Sequence, residues 1–150
     1  MRLFVAGALA LVACTHASQQ PDARQRGADQ RIEVLFPVSP RTAMQHVEAA
    51  ARDLGLPGGR VSGSTRRLDF TMYPYRLKED HGIEVALRAA AIAADPTGTS
   101  SRVVVSGTER FTQEEGRTRV TRPITRPRAG EESASWDELE RFAAAIRTRR

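Results

Sequence analysis

Three histidines, one cysteine and 22 arginines to a single lysine are the side chains from which this 150-residue chain could build chemistry. His16 lies in a polar stretch near the N-terminus. His46 falls off the centre of an apolar helical stripe, so its ring is expected to face solvent. His81 follows Glu79-Asp80 in a polar segment. A zinc site needs three or four nitrogen, sulfur or carboxylate ligands, and neither HxxxH nor CxxC spacing occurs. No metal or other cofactor is implied. Ser62-Gly63-Ser64-Thr65 only partly matches the G-x-S-x-G turn that presents a nucleophilic serine. A hydrolase would have to use His81 with Asp80 or Ser64, and side chains adjacent in sequence, such as Asp80 and His81, tend to diverge. Gly58-Gly59 precedes a strand rather than a helix, which excludes the usual phosphate-cradling loop. Glu114-Glu115 and Glu131-Glu132 fall in expected turns, not across a cleft. The residues favour a non-catalytic protein, with a hydrolase as the alternative.

The richest polar feature is the run from Arg110 to Arg128, RFTQEEGRTRVTRPITRPR, with six Arg against two Glu. Guanidinium groups hold phosphate or carboxylate bidentately. Arg117, Arg119, Arg122, Arg126 and Arg128 are therefore candidate anion-binding residues. If 117–122 is a strand, Arg117 and Arg119 share one face. Charge and proline also protect an edge strand from aggregation, so a solvated, protective role is the competing reading. Tyr73-Pro74-Tyr75 could form a small aromatic platform, or pack over a sheet edge. Single-stranded nucleic acid needs aromatic stacking platforms; with aromatics at 5% these are scarce, and nucleic acid is not expected as a partner.

The N-terminus reads MRLFVAGALALVACTHAS. A positive Arg2, ten apolar residues and then small residues form the layout of a secretory signal. No apolar run reaches the roughly 18 residues of a spanning helix. Leu11-Val12-Ala13-Cys14 resembles the lipobox of bacterial lipoproteins at all four positions. The resemblance implies cleavage before Cys14, with a diacylglycerol on its sulfur and an acyl chain such as palmitate on its new amino group. Two or more chains hold a protein stably to a bilayer. In that family Asp after the cysteine favours the inner membrane; Thr15 stands here, and an outer-membrane location facing the periplasm or exterior is implied where one exists. Membrane attachment through the lipid is thus expected, with an envelope protein or an anionic wall or lipid component as further partner.

The elements that must position these groups follow from periodicity. Residues 15–30 contain no large apolar side chain and cannot offset their ordering entropy. The expected organisation is a signal peptide over 1–13, Cys14 and a tether to 30, and one domain over 31–150. Residues 32–36 read as a strand. Ser39-Pro40 caps a helix over 40–54, closed by Gly55. Residues 61–64 and 67–73 form a hairpin about Thr65-Arg66. The alternation of Ile83, Val85 and Leu87 makes 83–94 a strand, although its alanines favour helix. After the turn 95–98 a partner strand begins near Arg102 and continues towards Phe111. An edge strand over 118–124 and a loop over 126–134 follow, with 75–81 an earlier loop. Ser135 with Glu138 forms a capping box, and Trp136, Leu139, Phe142 and Ile146 make the last helix's apolar stripe. The expectation is an α+β domain, order β-α-β-β-β-β-α, with an antiparallel sheet of four to six strands and two helices on one face.

Overall fold

A computed structural model describes residues 27–150, except 79, 81, 114–117, 150 and the side chain of residue 113. The chain runs β1 (Arg31–Phe36), α1 (Pro40–Asp53), β2 (Gly59–Ser64), β3 (Arg67–Met72), β4 (Tyr75–Arg76), β5 (Ile83–Ala93), β6 (Ser101–Gln113), β7 (Thr118–Pro123) and α2 (Ala134–Arg147). The fold class is α+β: seven antiparallel strands and two helices. The strand count exceeds the expected four to six. β7 falls at the expected edge strand 118–124, and the strand beyond six is β4, which lies in the stretch expected as a loop and whose two residues are too few to show a period.

The long β5–β6 hairpin is the spine of the sheet. Its strands pair from Ile83↔Phe111 to Ala93↔Ser101. One flank of β6 is shared, with β1 on residues 101–106 and β7 on residues 108–113. Between them, the Gly107 carbonyl accepts a hydrogen bond from Ile124 N at 3.0 Å. The outer flank of β5 is shared likewise by β4 and β3, and β2 closes that side. The hairpin turn is organised by Asp95, whose carboxylate accepts from Thr97 N at 2.8 Å and Ser100 N at 2.6 Å.

Strand periodicity puts Val34, Phe36, Phe70, Met72, Val85, Leu87, Val103 and Val105 on one buried face. Both helices lie against it. Ala43, Met44, Val47, Ala50 and Ala51 form the buried stripe of α1, and Trp136, Leu139, Phe142 and Ile146 that of α2. The buried Ala89 and Ala91 keep the sheet thin beneath them.

Helix ends obey local chemistry. The Ser39 side chain accepts from Thr42 N, and Pro40 opens α1. Gly55 at φ 66° lets Leu56 N donate to the Ala51 carbonyl and Gly55 N to that of Arg52, a Schellman closure. The expected Ser135–Glu138 box does not form. Ser133 caps α2 instead, accepting from Trp136 N at 3.2 Å. This earlier start buries Ser135 within the first turn and frees Glu138 for Tyr75 and Arg141. Ordered structure also begins before Arg31, since the Asp29 carbonyl accepts from Arg126 N at 2.7 Å.

Candidate anion-binding face

The sheet face away from the helices carries the charge. Among the described residues, alternation and register assign it eight arginines: Arg31, Arg60, Arg67, Arg76, Arg88, Arg102, Arg110 and Arg119. The same strands place three carboxylates there, Glu33, Asp69 and Glu84. Glu33 holds Arg31 at 3.2 Å and Arg102 at 3.6 Å. Asp69 takes both Nε and Nη2 of Arg67 at 2.9 Å, and this bonding holds its carboxyl below the usual carboxylate range. Glu84 pairs with Arg110. Arg60, Arg76, Arg88 and Arg119 have no carboxylate partner among the described residues.

One crosswise row is free of acid. Register aligns Arg60 with Thr71, Thr71 with Arg88, Arg88 with Ser106, and Ser106 with Arg31. Strands about 4.8 Å apart put successive arginines of this row about 10 Å apart. Thr71, Arg88, Ser106 and Arg31 of this row border a hollow of about 700 Å³, with short side chains such as Ala90 and Val104 in its lining, Arg67 and Arg102 beside them, and Glu33 and Asp69 present as the arginine-paired carboxylates described above. Such a basin can receive an anionic group with guanidinium and hydroxyl donors together.

The arginines singled out from the sequence are dispersed. Arg119, opposite Thr112, shares the open face. Arg122 points the other way: its Nε lies 2.6 Å from Glu109 Oε1, and its guanidinium stands 4.8 Å from the Phe111 ring centroid. Arg126 lies over Trp136 at 5.2 Å. Arg128 N donates to Glu131 Oε2, and its side chain is exposed. The linear run is thus not one stripe, because β7 sends alternate residues to opposite faces. Cys14 and Arg117 lie outside the described residues.

The other candidates separate too. Ser64 ends β2 and lines a groove of about 1010 Å³ between α1 and the β2–β3 hairpin. Asp80 lies beside Ile83, at the far end of β5, and its Oδ1 accepts from Gly82 N at 3.0 Å. Ser64 aligns through Arg67 with Ile92, so about 30 Å of strand separates the two positions. His81 lies outside the described residues. His46 is half-buried and stacks on Phe36, ring centroids 5.8 Å apart, rather than facing solvent. Tyr73 and Tyr75 share no platform: Tyr73 is exposed, whereas Tyr75 donates to Glu138 Oε1 at 2.8 Å. No group of three metal-ligating side chains occurs among the described residues. No helix among them is long and apolar enough to cross a membrane.

Sequence reasoning missed Arg31, Arg60, Arg67, Arg88 and Arg102 as a group. Each sits at an alternate strand position, a signal that was present, but their convergence depends on the pairing of five strands.

The class defined so far is a helix-covered antiparallel sheet with one open, basic face. Comparison with known proteins returns no match to a protein family, a curated protein or a solved structure.

Proposed function

We propose that this chain is a lipid-anchored protein of the bacterial cell envelope whose domain binds an anionic envelope component rather than performing catalysis. The anchor reading rests on Leu11-Val12-Ala13-Cys14 behind a short apolar run. The binding reading rests on one observation: among the described residues, eight arginines against three carboxylates on the face no helix covers. Arginine placed this way attracts phosphate or carboxylate at long range and holds it by paired hydrogen bonds at contact. An outer-membrane site facing the periplasm or exterior fits the lipobox and Thr15.

The test is the intact mass of the chain from the membrane fraction, wild type against Cys14→Ser. The expected mass begins at Cys14 and includes acyl chains, and the serine variant loses them. A chain that still begins at Met1, without lipid, overturns the anchor. For the domain, binding to anionic envelope fragments should weaken as salt rises from about 0.05 to 0.5 M, since screening shortens the reach of exposed charges.

A further inference from the structure

We propose that the open sheet face is a phospholipid-headgroup surface, with the Arg60–Thr71–Arg88–Ser106–Arg31 row seating lipid phosphates. The inference rests on the anionic-partner reading above and names the partner as the bilayer itself.

Three observations converge. The row supplies guanidinium and hydroxyl donors without a carboxylate in line, and all of it but Arg60 borders a hollow of about 700 Å³ whose two carboxylates, Glu33 and Asp69, are already paired with arginine. Arg60 and Arg88 have no acidic partner among the described residues, so a phosphate displaces no internal ion pair from them.

The second observation distinguishes a bilayer from a soluble anion. Among the described residues the exposed large hydrophobics are Leu35, Tyr73 and Val61. Leu35, 65% exposed, lies opposite Arg102 on the open face. Tyr73, 61% exposed, comes one residue after β3. Val61, opposite the buried Phe70, lies on the helix side. Cations beside an exposed aliphatic side chain on the same face, with an exposed amphipathic aromatic at the end of β3, match the headgroup and acyl boundary of a membrane. A soluble phosphate ester has no use for Leu35 or Tyr73.

The third is connectivity. Arg31 begins β1 and ends the row. Chain arriving from Cys14 therefore enters at the margin of this face, so anchor and row can engage one bilayer.

The test uses the chain from residue 14 onward carrying Cys14→Ser, which lacks both the apolar run before Cys14 and the acyl anchor, so that failure of the anchor and failure of the face are read separately. Sedimentation with phosphatidylcholine vesicles is compared with sedimentation on vesicles containing phosphatidylglycerol. We expect selective binding to the anionic vesicles at low salt. Arg60→Gln with Arg88→Gln should weaken it on the order of 30-fold, at about fivefold per arginine near the surface. Both side chains are exposed, and an unchanged thermal melt shows that the variant is folded. Arg52→Gln with Arg147→Gln, an equal charge change on exposed helix positions, should leave binding within about twofold, as expected away from the contact. Equal binding to both vesicle types overturns the proposal. So does an equal loss in the two double variants, which would make net charge the cause. Displacement by millimolar glycerol phosphate, where chloride of matched ionic strength has no effect, overturns the bilayer in favour of a soluble phosphate ester.

Discussion

Tyr75 and Glu138 show how one contact sets a pH dependence. Burial, and then the neighbouring Glu138 carboxylate, push the Tyr75 phenol above its ordinary pKa. Burial opposes ionisation of Glu138, but the hydrogen bonds from Arg141 and Tyr75 outweigh it and hold its carboxyl below the ordinary value. The two signs bound a window. Stability linked to Tyr75 is complete below the ordinary tyrosine pKa of about 10 and is lost as pH rises past it; that linked to Glu138 is lost as pH falls below about 4. Tyr75→Phe should cost about 1 kcal/mol at neutral pH and flatten the alkaline limb of a urea-melt pH series. An unaltered alkaline limb would show that Tyr75 does not cause it. Gly107 is constrained by space. A Cβ there would lie 2.9 Å from Ile124 Cδ1 and 3.0 Å from both the Ala86 carbonyl oxygen and Leu87 Cδ2. Gly107→Ala should cost about 1–3 kcal/mol by overpacking, read as a lower urea midpoint at constant slope.

At the scale of elements, periodic segments were readable and aperiodic ones were not. The apolar spacing of α1 and α2 and the alternation along β3 and β5 each extend over several residues. The β5 reading prevailed over alanine's helix propensity because Val85, Leu87, Ala89 and Ala91 bury one sheet face. By contrast, β4 has only two residues, and its pairing with Val85 and Glu84 is a tertiary event. The α2 cap was misplaced for a specific reason. Both Ser133 and Ser135 precede the apolar stripe, and the Glu three residues after Ser135 imitates a capping box. Ser133→Ala should cost about 1 kcal/mol. The Ser135 hydroxyl is buried without a hydrogen-bond partner among the described residues, so Ser135→Ala should cost less than Ser133→Ala. Thermal melts of the two variants compare them directly, and a reversed order would return the cap to Ser135. The Arg110–Arg128 run has a related lesson: clustering in sequence is not clustering in space on a strand, where neighbours diverge, so Arg119 and Arg122 stand on opposite faces. The basic face draws on all seven strands, and its acid-free row, carried by β1, β2, β3, β5 and β6, exists only once their registers are fixed.

For the whole molecule, the division of labour is by face: helices and apolar packing on one side, guanidinium groups on the other. The lengths of the strands have a separate consequence for time. β5 and β6 are paired along almost their whole course, β6 by β1 and β7 and β5 by β3 and β4. The sheet's exposed margins are left to strands of two to six residues. Short margins can open separately, whereas the hairpin's amides are released only when its neighbours on both flanks have gone. Native-state hydrogen exchange should therefore show amides of 85–91 and 102–110 exchanging last, and those of β2 and β7 earlier by at least about tenfold. Uniform rates across the sheet would contradict this order. The hairpin closed by Asp95 is thus the molecule's slowest clock: as long as it persists, marginal strands that come loose have a template on which to re-form.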